Sequence, residues 1–127
     1  MSKLKPEPTR RQRWLPYVRQ IADTIGLRDW QVFIDEDTPR EENIASCYPC
    51  EGRKIATVRF SESFLMSSPF KQRHAVVHEL IHNHLAPYMY AVEKKTSNDP
   101  VLGMLMEYGV DGLADGFAHL LPLPKVK

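Results

Sequence analysis

The sequence predicts an α+β domain. Two long segments carry apolar residues at helical three- and four-residue steps, and between a first helix and those segments lies a stretch that alternates with a period of two. At 127 residues the chain has one domain's length, enough for a single modest core. A hydrophobic share of 43% with 26% charged residues is ordinary for a globular chain, and a formal net charge of +1 gives no global pull toward nucleic acid or a membrane surface.

The elements follow in order. Residues 1–13 carry Lys3, Lys5, Arg10, Arg11 and Arg13 against the single acid Glu7, which reads as a flexible basic arm open to an acidic protein partner. Residues 14–121 form the single domain, and 122–127 a tail. Within the domain, Leu15, Val18, Ile21, Ala22 and Ile25 mark a first helix that Gly26 stops. "WQVFID" alternates, so Asp29 to Asp35 is a strand, with Trp30, Val32 and Ile34 on one face; the acidic loop "DEDTPREE" follows. "NIASCY" and "KIATVRFSESF" have strand composition and flank a turn with Pro49 and Gly52, predicting an antiparallel hairpin and a small, mostly antiparallel sheet of about three strands.

Ser68 then Pro69 is an N-cap with proline in the first helical position, and the helix is expected to end at Pro87, whose ring and missing N–H oppose continuation. "YMYAVEKKTSNDP" reads as a polar connection with a turn at Asn98 to Pro100. A last helix from Val101 to about Leu121 presents Leu102, Met106, Val110, Leu113, Phe117, Leu120 and Leu121 as a broad apolar stripe. Gly103, Gly109, Gly112 and Gly116 oppose it, each by about 1 kcal/mol against alanine, and close approach to a neighbouring backbone is the expected compensation. With no apolar run of 18 residues and no signal-peptide core, the expected location is intracellular, in the cytoplasm, with no membrane partner. Cys47 and Cys50 form a lone C-x-x-C, which cannot close a tetrahedral thiolate site by itself; beside the turn at Pro49 they read as structural or incidental thiols, with a redox or auxiliary metal role as the alternative.

Four of the five histidines fall in "HAVVHELIHNH", His74 to His84. Residues four apart on a helix are offset by about 40° and rise about 6 Å, so His78 and His82 can offer two nitrogens to one ion. Glu79 completes H-E-x-x-H, in which the carboxylate stands beside the open position of a zinc ion whose water has its pKa lowered toward about 7. His74 lies on the same stripe one turn earlier and reads as a surface or cleft-rim residue. His84 lies about 200° round from His82 and faces away; His119 is placed to meet the dipole at the end of the last helix.

On these residues the chain resembles the zincin metallopeptidases. The order of helix, short sheet, HExxH helix and carboxylate-bearing helix, from about Trp14 to Leu121, is similar to minimal gluzincins such as the ImmA/IrrE-type peptidases and small phage-encoded HExxH proteins. The resemblance implies a zinc-dependent peptidase with a zincin-like α+β fold, a protein or peptide substrate held along an edge strand, Zn2+ on His78 and His82, and Glu79 as general base. The metzincin extension is excluded, because Leu85 and Tyr88 stand where it needs glycine and histidine. For the third ligand the gluzincin pattern implies Glu107, from "EYGVDGLA", with Asp111 as a carboxylate toward a histidine N–H; the overlapping "DGLADGFA" makes Asp111 an alternative ligand. Tyr88, Tyr90 and His74 are the nearest groups in sequence for an oxyanion, and none is assigned.

Two other functions are compatible with the segment. His74, His78 and His84 reproduce the H-x3-H-x5-H spacing of a family of metal-dependent endoribonucleases, although "ELIHN" lacks the glycine break that such a site needs before its third histidine, so nucleic acid is not the expected partner. A zinc-bound, non-catalytic binding module on the same fold would keep the ligands without needing Glu79.

Overall fold

The computed structural model describes residues 6–40, 42–50, 52–96 and 99–126. Lys3 and Lys5 of the basic arm and Asn98 of the expected turn lie outside them. Among the described residues the fold is mixed α+β, with a three-stranded sheet and four α-helices: α1 (Leu15–Thr24), β1 (Gln31–Ile34), β2 (Ala45–Pro49), β3 (Ile55–Phe60), a one-turn α2 (Glu62–Leu65), α3 (Pro69–Thr96) and α4 (Pro100–Ala118). No helix among the described residues is long and apolar enough to cross a membrane.

Helix α1 starts after a short 3-10 turn, Gln12–Trp14, and ends as its glycine requires. Gly26 takes a φ of +94°, and the Leu27 N–H donates back to the Ala22 carbonyl at 2.8 Å, the six-residue closure that satisfies an orphan carbonyl. The basic arm is anchored where it is described: Arg11 Nε donates to the Phe60 carbonyl at 3.0 Å and its Nη2 reaches Glu62, so the domain extends back beyond residue 14. The tail is tied as well, the Tyr17 hydroxyl donating to the Pro122 carbonyl at 2.8 Å.

The sheet has the order β1-β3-β2, with β2 and β3 antiparallel and β1 parallel to β3. It is therefore mixed rather than mostly antiparallel. The segment after β1 carries the chain past the middle of the sheet, β2 takes the outer edge, and the hairpin brings β3 back between them. Gly52 at φ +78° and the Cys50 N–H to Ile55 carbonyl bond of 2.8 Å form that hairpin's turn. Val32 and Ile34 are buried and Phe33 is exposed, as the alternation predicts. The end of "KIATVRFSESF" is not strand. Ser61 caps α2 instead, its hydroxyl accepting from the Phe64 N–H at 3.1 Å, which turns Phe64 inward to stack on Phe60 at 4.1 Å and meet Trp14 at 4.7 Å.

Helix α3 does not stop at Pro87 but runs to Thr96. An interior proline removes one backbone bond and costs about 3 kcal/mol. Packing on both sides offsets this: Leu80, Ile81, Asn83 and Ala86 are buried before it, and beyond it the Tyr90 hydroxyl donates to the Pro49 carbonyl at 3.0 Å, fixing the last turns to the end of β2. Residues 88–96 of the expected polar connection are thus helical, and Asp99 caps α4 by accepting from the Val101 N–H at 2.9 Å. Helix α4 buries only Val110, Ala114 and Ala118; of its expected apolar stripe Val110 is buried, Leu102, Met106 and Leu121 are partly buried, and Leu113, Phe117 and Leu120 are exposed.

Because α3 is continuous across Pro87, Pro87→Ala should raise stability by about 1–3 kcal/mol in urea denaturation, by restoring a helical bond without loss of packing. A loss of stability would mean that the proline sets a needed bend.

Candidate metal centre

Helices α3 and α4 lie side by side and run antiparallel, and each carries functional groups at four-residue spacing. On α3 these are His74, His78 and His82; on α4 they are Glu107, Asp111 and Asp115. Four residues are just over one turn, so each series forms a stripe, and the antiparallel packing sets the stripes rung against rung. His74 Nε2 is 2.6 Å from Asp115 Oδ1, His78 Nδ1 is 3.0 Å from Asp111 Oδ1, and His78 Nε2 is 2.7 Å from Glu107 Oε1. His82 Nε2 lies 3.3 Å from His78 Nε2 and 3.5 Å from Glu107 Oε2.

Proton accounting shows what this cluster can accommodate. A neutral imidazole has one N–H. If His78 gives it to Asp111 from Nδ1, its Nε2 lone pair faces another lone pair on His82 Nε2 and a carboxylate oxygen of Glu107. Burial, opposed by Glu107 and reinforced by His78, holds the His82 pKa below the ordinary imidazole value, so His82 favours the neutral form that offers a lone pair. Three donors converging on one point suit a cation. His78, Glu79 and His82 form one group of donor atoms able to hold an ion, and His78, Glu107 and Asp111 another, with His78 common to both.

Glu79 is held from the sheet side. Its Oε1 accepts the backbone N–H of Cys47 in β2 at 3.1 Å, while Oε2 lies 3.7 Å from His78 Nε2. Burial pushes its pKa up to about 8, opposed by the Cys47 N–H and reinforced by the nearby Glu107 and Asp111. A cation in the same place would favour the carboxylate instead. Cys47 is partly buried, and its thiol, pushed up to about 12 by burial and then by Glu79, donates to Asn83 Oδ1 at 3.3 Å; Cys50 is exposed. Both thiols are free, and at that pKa the Cys47 thiol stays protonated near neutral pH.

Two hollows flank the centre along β2. The larger, about 730 Å3, is bordered by Ile44, Phe70, Lys71 and His74; the smaller, about 260 Å3, by Tyr48, Met89 and Tyr90; Glu79 and His82 line both. Of the three groups nearest in sequence for an oxyanion, His74 and Tyr90 therefore border opposite sides of the centre, and Tyr88 is exposed on α3. His84 is elsewhere. Its Nε2 is 2.7 Å from the Ile25 carbonyl at the end of α1, and its ring packs where a side chain at Gly26 would project, so the spacing His74, His78, His84 is not brought together. His119 Nδ1 lies 3.2 Å from the Asp115 carbonyl in the last turn of α4, as its position suggested.

Asp115 and the Cys47 N–H were missed by sequence reasoning. Asp115 had a signal, because Glu107, Asp111 and Asp115 repeat the spacing of the histidines; a backbone N–H has none. Comparison with protein-family models, curated proteins and solved structures finds no match to this chain.

Glu107→Ala should abolish tight binding of a divalent metal in a competition titration, and Asp111→Asn, which leaves the donors and loosens only His78, should weaken it by about 10- to 100-fold. The reverse order would transfer the ligand role to Asp111. His84→Ala should leave metal affinity unchanged and cost about 1 kcal/mol of stability, the worth of a helix-end hydrogen bond.

Proposed function

We propose that the chain is a zinc-dependent metallopeptidase with a zincin-like fold of the minimal gluzincin type. His78, His82 and Glu107 are the ligands and Glu79 the general base. The observation that carries this reading is the convergence of His78 Nε2, His82 Nε2 and both Glu107 oxygens beside the free oxygen of Glu79. The spacing suits zinc. Two nitrogens each about 2.0–2.1 Å from a tetrahedral ion lie about 3.3 Å apart, and the two Nε2 atoms are 3.3 Å apart.

When bound, zinc supplies a water acidified toward a pKa of about 7 and an electrophile for the scissile carbonyl. The chain's own groups do the rest. Asp111 Oδ1 stands 3.0 Å from His78 Nδ1, where a carboxylate favours the tautomer whose Nε2 lone pair would face a bound ion. The Cys47 N–H occupies Glu79 Oε1, which leaves Oε2 to take a proton from the water and then deliver it to the departing amine nitrogen. Atoms balance as hydrolysis: the water's oxygen bonds to the carbonyl carbon, the C–N bond breaks, and the amine leaves with the proton.

A peptide substrate is favoured by the placement of the centre beside an edge strand. β2 pairs with β3 on one side only; the proposed metal donors open into the larger hollow, and Glu79 and His82 also border the smaller one along the same strand, a shape suited to an extended chain. His74, 2.6 Å from Asp115, borders the larger hollow.

Glu79→Gln preserves shape and removes no ligand, so zinc content and thermal midpoint should stay near wild type while peptide cleavage falls by about 100- to 10,000-fold. New termini in a peptide library, measured by mass spectrometry, report this. Zinc-loaded wild type that cleaves nothing across a broad panel would favour a binding module, and equal cleavage by both proteins would rule out Glu79 as base.

A further inference from the structure

Helix α4 is packed inside out. Its inward residues are Val110, Ala114 and Ala118, whereas Val101, Leu105, Tyr108, Leu113, Phe117 and Leu120 are each 44% to 70% exposed. At about 100° per residue, Val101 and Leu105 lie opposite the buried face, and the strip continues through Gly109, Gly112, Gly116 and Leu120, with Tyr108 on one flank and Leu113 and Phe117 on the other. A methyl added at any of these three glycines would meet no atom within 4 Å outside its own helix. The glycines thus do not accommodate a neighbour within the chain, contrary to the expectation from sequence. They form an open shallow furrow in an apolar surface.

From this we propose that α4 is a self-association surface, docking against α4 of a second copy of the chain across a two-fold axis. Area supports this occupant. Tyr108 stands about 180° round the helix from Phe117 and borders the patch; Val101, Leu105, Leu113, Phe117 and Leu120 together present on the order of 500 Å2, so two copies bury about 1,000 Å2, the size at which specific interfaces begin. Shape supports it too. An isologous contact needs knobs and hollows on the same patch, and Tyr108, Leu113 and Phe117 stand beside the glycine furrow that would receive their copies. The acids of α4, Glu107, Asp111 and Asp115, point to α3, so no Asp, Glu, Lys or Arg lies on the strip to repel its own copy. The acids are centred about 140° round α4 from the middle of the strip, and the two faces meet where Asp115 stands about 20° from Tyr108.

Sedimentation velocity of the full chain from about 1 to 100 µM tests this. Wild type should approach twice 14.7 kDa. Leu105→Glu with Phe117→Glu should return the monomer. Gly112→Leu with Gly116→Leu fills the furrow in a position with room for a side chain and with better helix propensity, so it should weaken dimerisation by at least about tenfold while circular dichroism shows helix content kept or raised. Wild type that stays monomeric at about 100 µM overturns the proposal, including the case in which it instead partitions onto phosphatidylcholine vesicles. A dimer indifferent to both pairs of substitutions overturns it as well.

Discussion

The pairing of histidines on α3 with carboxylates on α4 is the constraint on which the rest of the arrangement depends. A helix of this length normally holds its place by a broad apolar face. Helix α4 instead gives the core two alanines and a valine. Its register against α3 is marked by His74–Asp115, His78–Asp111 and His82–Glu107, and a slip of one turn would leave two such rungs in place of three. His78 Nε2 lies within hydrogen-bond distance of both Glu107 and His82 Nε2, and the carboxylates ranged along the imidazoles make this the place where positive charge is favoured.

A second constraint joins this centre to the sheet. Glu79 lies one residue after His78, so it leaves α3 at about 100° to the metal stripe and points at β2. There the Cys47 N–H, unused in the pairing with β3, takes one of its oxygens. A carboxylate this buried would otherwise turn to any available donor; the strand limits it to one orientation. Burial of the Cys47 thiol on Asn83 keeps that strand seated on α3. The proposed base, the substrate edge and the metal donors are therefore held by one local set of contacts, which is why the proposed chemistry needs no more than a small domain.

Much of this was legible in the sequence, for identifiable reasons. Helical spacing gave α1 and the core of α3, Gly26 and Ser68 marked their ends, and H-E-x-x-H put His78, Glu79 and His82 together because local geometry on one helix decides it. Glu107 and Asp111 were both visible, but one turn apart on the same face they could be separated only by tertiary placement, which sets Glu107 against both Nε2 atoms and Asp111 against Nδ1. What was not legible is non-local. The parallel pairing of β1 with β3 depends on where the β1–β2 connection crosses, the helix through Pro87 depends on Tyr90 meeting Pro49, and the capping role of His84 depends on the end of α1 packing 59 residues away in sequence. Local propensity carries none of these.

The central claim is that His78, His82 and Glu107 share one zinc ion. Anomalous diffraction at the zinc edge from zinc-loaded crystals tests it most directly. The account predicts one peak about 2.0–2.2 Å from Nε2 of both histidines and an oxygen of Glu107, with Asp111 still on His78 Nδ1. A peak bound by Asp111 in place of Glu107, or no peak between α3 and α4, would contradict it.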